Sequence, residues 1–208
     1  MKQKPIVIFD FDGTIADTFV MAINIFYKLK PRWPILPKGE VERLRGMAFM
    51  QVARELQIPP WDIPFLLVRG RKIMAAHLDE AVIIPGMGEA IRQLHDSGYD
   101  LYVISSNSTE NVSRFLERHQ LLDQFTEIYG SIGLMGKAKA IKKLLKDKQV
   151  APENAYYVGD EARDIEAAHK VKVHSIAVSW GYNNIKILAD HKPKVLVFDP
   201  ADIVKVVS

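Results

Sequence analysis

From residue 86 onward the chain alternates short apolar runs with segments of helical period. The runs 6–9, 101–104, 127–129, 156–158, 173–178 and 195–198 are rich in β-branched or aromatic residues and short enough to be buried strands. Between them, Met87, Ala90, Ile91 and Leu94 recur at helical spacing, and Gly98 supplies a stop. Val112, Phe115, Leu116 and His119 form a second such stripe, and Ala138, Ile141, Leu144 and Leu145 a third. This pattern predicts an α/β fold, a mainly parallel, Rossmann-like sheet covered on both faces. Ligands of such sheets collect at the carboxyl ends of the strands, near the reversal of strand order.

Residues 16–84 break the alternation. They show no convincing strand, only helix-like pieces at roughly 16–30, 38–47, 49–57 and 61–78. Pro31, Pro34, Pro37, Pro59, Pro60 and Pro64, six of the 11 prolines, punctuate this third of the chain with hard helix stops. The expected organisation is therefore a discontinuous sheet domain, 1–15 plus 85–208, interrupted by an all-helical insertion at 16–84 seated over the strand ends.

Composition narrows the chemistry. A chain of 208 residues removes about 70% of its unfolded surface from water, so it folds without staples. Cysteine is absent, which excludes disulfide scaffolds, thiol nucleophiles and Cys-ligated zinc or iron–sulfur centres. The net charge of +3 comes from lysines and arginines spread along the chain, so no nucleic-acid partner is expected. With no secretory h-region and no apolar run of membrane length, a cytoplasmic protein without a membrane partner is expected.

Four segments at predicted strand ends carry candidate chemistry. Asp10-Phe11-Asp12-Gly13-Thr14 follows the first strand and puts two carboxylates at i and i+2 on one side of an extended chain. A calcium loop starting at Asp10 would need a glutamate where Met21 stands, and a helix in front instead of a strand. Ser105-Ser106-Asn107-Ser108 ends a strand and opens a helix; it reads either as a phosphate cradle or as plain helix capping. Gly136-Lys137 precedes a helix. It is no Walker A loop, because Ser131 and Ala138 occupy positions that need glycine and Ser/Thr. Gly159-Asp160-Glu161-Ala162-Arg163-Asp164 offers hard oxygen donors, and an acidic helix N-terminus is the competing reading.

In this order, with a helical insertion after the first, the four segments resemble the motifs of the haloacid dehalogenase (HAD) superfamily. The resemblance runs along nearly the whole chain and implies a HAD core with an inserted helical cap. It implies that Asp10 attacks phosphorus while Asp12 protonates the leaving oxygen and then activates water. By the same match Ser106 and Asn107 hold the substrate phosphate, with Ser105 the alternative by one residue. Lys137 offsets the charge of nucleophile and phosphate. Mg²⁺ is held by Asp10, the Asp12 carbonyl and Asp160, with Asp164 behind them holding Lys137 or a metal-bound water; Glu161 and Asp164 are not ranked as further ligands.

Asp12 sets the chain apart from haloacid dehalogenases proper, whose alkyl leaving group needs no acid. Lys28, Lys30, Lys38 and Lys72 lack the context of a Schiff-base lysine. Leu44-Arg45-Gly46 is followed by Met47, Ala48, Phe49 and Met50, a departure from the sugar phosphomutases. The branch resembling phosphoglycolate phosphatase fits best, a Mg²⁺-dependent phosphomonoesterase acting on a small phosphorylated substrate. A sugar phosphomutase and a catalytically idle scaffold are the alternatives. Arg45, with Arg43 beside it, is the candidate for the organic end of the substrate. Trp180-Gly181-Tyr182 is similar to a loop of that branch, and either a site role or core packing would account for it.

Overall fold

The computed structural model describes residues 5–19, 21, 43–44, 47, 49–55, 57–63, 65, 72–73, 76–133 and 136–208. Its centre is a six-stranded parallel sheet of β1 (Ile6–Phe9), β4 (Asp100–Ile104), β5 (Phe125–Tyr129), β6 (Ala155–Gly159), β7 (His174–Val178) and β8 (Val195–Val197), in the order β5-β4-β1-β6-β7-β8. Every neighbouring pair runs parallel, so every connection is a crossover. Helices α2 (Met87–Asp96), α3 (Thr109–Arg118), α4 (Lys137–Asp147), α5 (Ala162–Lys170), α6 (Ile185–Asp190) and α7 (Pro200–Val207) make the crossovers and the final turn. The chain builds outward from β1 through β4 to β5, then returns to the other side of β1 to lay down β6. That reversal puts a crevice at the carboxyl ends of β1 and β6.

The two-residue alternation of β1 divides the core. Val7 and Phe9 join Met87, Ile91, Leu94, Val112, Phe115, Leu116, Ile203 and Val207, so α2, α3 and α7 cover one face. Ile6 and Ile8 join Ile141, Leu144, Leu145, Ala167 and Ala168 from α4 and α5 on the other. A strand buried on both faces has no polar position to spare, which is why it reads as a continuous apolar run.

The 16–84 segment corrects one expectation. Ala16–Asp17 (β2) and Val82–Ile83 (β3) form an antiparallel pair where the sequence showed no strand. Helix starts at Phe19, not at residue 16, among the described residues. Two residues are too few for period-2 alternation to register; the pair forms because the chain leaves and re-enters the sheet side by side, with the Ile84 N–H donating to the Ile15 carbonyl at 2.9 Å. The 49–57 piece is seen as α1 (Phe49–Glu55). Much of 16–30, 38–47 and 61–78 lies outside the described residues, and so does Arg45. Among the described residues, no helix is long and apolar enough to cross a membrane.

Candidate active site

The first strand delivers Asp10 directly. Its N–H donates to the Val158 carbonyl at 2.8 Å, which continues the β1–β6 ladder past Phe9. The side chain is buried, with Oδ1 accepting from the Phe11 N–H at 2.8 Å and Oδ2 from Lys137 Nζ at 2.6 Å. The same ammonium donates to Asp164 Oδ1 at 2.5 Å and lies 5.8 Å from the Tyr157 ring centroid. Lys137 therefore stands apart from Lys139, Lys142 and Lys143 on the same helix, which are exposed. Burial works against its charge, yet Asp10 and Asp164 hold it protonated well above the ordinary lysine range.

After Asp10 the backbone must turn sharply. Gly13 takes φ +80°, and a Cβ there would fall 2.4 Å from Asp160 Oδ2, so only glycine meets both demands. The turn brings Thr14 Oγ1 to donate to Asp160 Oδ1 at 2.7 Å across 146 residues of chain. Asp160, at the end of β6, is fully buried, and its Oδ2 accepts from the Tyr182 N–H at 2.7 Å. One turn on, Glu161 and Asp164 cap α5 reciprocally, each side chain accepting from the other's end of the first turn. Glu161 also pairs with Arg163. Its carboxylate is thus engaged in capping and ion pairing, while Asp164 turns its second oxygen to Lys137.

Asp12 sits differently. Its Oδ2 is 3.5 Å from Asn107 Nδ2, and its Oδ1 is buried with no hydrogen-bond partner. Burial and then the Asp10 charge push its pKa up to about 6, against Thr18 and Asn107, whose hydrogen bonds favour the ionised form. Ser105 is fully buried at the end of β4, and its Oγ accepts from the Asn107 N–H at 3.0 Å; Ser106 beside it is half-buried. The capping reading of this segment holds for Ser108, which accepts from the Asn111 N–H at 3.2 Å. The structure thus gathers Asp10, Lys137, Asp160 and Asp164 in one cluster and pairs Asp12 with Asn107 next to it, in the chain turn after Asp10.

Carboxylate oxygens of Asp10, Asp160 and Asp164 lie within 4.8 Å of one another. Burial pushes Asp10 upward, and it pushes Asp160 well upward with help from Glu161 and Asp10. Lys137 alone does not balance these buried acids, and their all-oxygen donor set is suited to a hard divalent cation. The chain and its charge distribution therefore fit a metal centre.

Thr14, Thr18 and Asn183 were given no role from the sequence. Asn183 Oδ1 accepts from the Ala162 N–H at 2.9 Å, and Trp180 Nε1 donates to the Thr14 carbonyl at 3.1 Å. The contact that places the loop after β7 is Gly181, where a Cβ would lie 2.2 Å from the Asp160 Cβ. The sequence marks this place only through the Trp180-Gly181-Tyr182 resemblance, without the approach to Asp160.

The sheet order, the acids at the ends of β1 and β6 and the buried lysine define a hydrolase of the haloacid dehalogenase-like family. The sequence profile of haloacid dehalogenase-like hydrolases matches residues 7–178, and the chain belongs to that family. It is 30% identical to a phosphoglycolate phosphatase of Synechococcus elongatus, over 97% of this chain and 96% of that one. It is 25% identical to the pyrophosphatase PpaX of Listeria innocua, over 97% and 95% of the two chains. Among solved structures, a haloacid dehalogenase-like hydrolase of Streptococcus pneumoniae superposes with a TM-score of 0.81 at 22% identity over the full length of both chains, a likeness of fold. The protein is an enzyme of the phosphatase kind, similar to phosphoglycolate phosphatase.

Proposed function

We propose that the protein is a Mg²⁺-dependent phosphomonoesterase that hydrolyses a small phosphorylated metabolite through an aspartyl-phosphate on Asp10. The observation that carries this reading is the contrast between two neighbouring carboxyls. Asp10 is locked in a buried ion pair with Lys137, whereas Asp12 keeps an unpartnered buried oxygen and a pKa near 6. In the first, the Lys137 ammonium counters the upward push of burial and fixes the carboxylate oxygen of a nucleophile; the second lets a neighbour carry a proton.

In the first step an Asp10 oxygen forms a bond to phosphorus as the ester P–O bond breaks, and the departing oxygen takes the proton from Asp12. In the second step Asp12, now ionised, takes a proton from water as that water attacks phosphorus. The aspartyl P–O bond breaks, releasing inorganic phosphate and restoring Asp10. Ser106 and Asn107, or Ser105 in place of Ser106, together with Lys137, would bind the phosphoryl oxygens. One oxygen of Asp10, the Asp12 carbonyl and Asp160 would hold Mg²⁺, with Asp164 holding Lys137 in place behind them. The ion supplies charge neutralisation that lets an anionic carboxylate approach an anionic phosphate.

For the substrate, the 30% identical relative directs attention first to 2-phosphoglycolate, and the PpaX relatives make inorganic pyrophosphate the second candidate. Arg45 remains the proposed contact for the organic end. Arg43 is already ion-paired with Glu55 at 3.0 Å. The test is phosphate release from these two compounds, a set of sugar phosphates and an activated aryl phosphate, with and without Mg²⁺. Release that requires Mg²⁺ is expected. No release from any of them would refute the reading, and isomerised sugar phosphate without net release would establish a mutase.

A further inference from the structure

Asn107 is anchored through its N–H, its carbonyl and its side-chain oxygen, which leaves the amide NH₂ to face the crevice. The N–H donates to Ser105 Oγ at 3.0 Å, and the carbonyl accepts from the Ser131 N–H at 2.6 Å. Oδ1 accepts twice, from the Ser108 N–H and from Asn111 Nδ2, each at 2.9 Å. A backbone N–H can only donate, so the end of the amide facing Ser108 is the oxygen and the opposite end is the NH₂. Asp12 Oδ2 lies 3.5 Å from that NH₂, at the limit of hydrogen-bond distance, so the donor is not used up there. The side chain of Asn111 is not needed to cap α3, because the Ser108 hydroxyl already accepts from the Asn111 N–H at 3.2 Å. It turns back to Asn107 instead.

We propose that Asn111 is a positioning residue for phosphate binding: it fixes the plane of the Asn107 amide so that the NH₂ meets a phosphoryl oxygen. This inference rests on the proposed phosphate contact of Asn107. The Ser108 N–H places the amide oxygen but lets the amide pivot about it. A second donor on the same oxygen, reaching back from the first turn of α3, removes that freedom. A donor oriented before the ligand arrives gives up less freedom on binding and needs no rearrangement as charge approaches.

The experiment measures the affinity for inorganic phosphate by isothermal titration calorimetry on the full-length protein with Mg²⁺, beside a thermal melt. Asn107→Ala should weaken phosphate binding roughly tenfold or more, the scale of a hydrogen bond to a charged group. Asn111→Ala and Asn111→Leu should each weaken it about three- to tenfold while the melting temperature holds. Leucine keeps the volume, so agreement between the two variants separates the lost donor from lost packing. In the Asn107→Ala background neither change should weaken binding further, because Asn111 acts through the Asn107 amide. A merely structural role would lower the melting temperature without this pattern, or add its loss to that of Asn107→Ala. Additive losses, or unchanged affinity in both Asn111 variants, would overturn the proposal, as would a wild-type protein that binds no phosphate. If Asn107→Ala leaves the affinity unchanged, the phosphate contact of Asn107 falls and takes this inference with it, while Mg²⁺-dependent phosphate release by the wild type keeps the phosphatase reading. If the variants follow the expected pattern and no ester is hydrolysed, the positioning role stands and the phosphatase reading falls.

Discussion

The two sides of the acid centre are built from opposite materials. On one side Asp10 and Asp164 converge on a single ammonium, Lys137, in an ion-paired network that excludes water. On the other, Asp12 is surrounded by neutral groups, the Asn107 amide and the Thr18 hydroxyl, with Tyr182 behind. The two aspartates are two residues apart; Asp10 is buried and Asp12 only partly so, and they differ most in their partners. In the proposed mechanism a charged partner orients Asp10 for attack, while neutral partners leave Asp12 able to bind and release a proton. Paired carboxylates with divergent surroundings are how one site carries both a nucleophile and an acid.

The contrast breaks most completely at Asp10. Asp10→Asn keeps the shape and removes the proposed nucleophile, so turnover should fall by at least about a thousandfold while the melting temperature holds. Steady-state kinetics beside a thermal melt checks both halves. Next comes Lys137→Met, which strips the cation from two buried carboxylates. Because breaking a buried pair leaves unpaired charge behind, stability should drop by about 3–5 kcal/mol, measured by urea titration, with activity lost as well.

A third test uses pH. In the metal-free protein the folded-state pKa of Asp12, near 6, stands above its unfolded value of 3.8. Between about pH 4 and pH 6 the folded state then binds more protons than the unfolded chain, so stability falls as pH rises through that window. Asp12 alone accounts for at most about 3 kcal/mol of that fall. Asp10 and Asp160 shift in the same direction. Melting in EDTA should therefore weaken from pH 4 to pH 7, and Mg²⁺ should restore more at pH 7 than at pH 5, because its ligands must be deprotonated. A metal-free protein that gains stability across that window would show the acids are not packed against one another in this way. The smallest effect belongs outside the centre. Arg43→Ala removes an exposed pair with Glu55 and should leave the melting temperature in place.

Legibility in the sequence followed distance along the chain. β1 and Asp10 are adjacent, so an apolar run ending in an acid announced both, and the same held for β6 with Asp160. The helices around Ile91, Phe115 and Leu144 announced themselves because each buries a stripe at helical spacing. What stayed hidden depends on contacts made only after folding. Thr14 reaches Asp160 across 146 residues, and Tyr182 reaches Thr18 across 164. No local pattern encodes either. β2 and β3, at two residues each, are likewise a product of where the chain leaves and re-enters the sheet. Ser105 and Ser106 differ by one position at a strand end, and the fold buries the first more deeply than the second.

The charged side of the centre makes one claim above the others, that Asp10 bonds to phosphorus. The stereochemistry at phosphorus tests it most directly, using a substrate made chiral with sulfur and oxygen isotopes and hydrolysed in isotopic water. Two in-line displacements, onto Asp10 and then onto water, predict net retention of configuration. Net inversion would mean a single direct attack by water and would contradict the account.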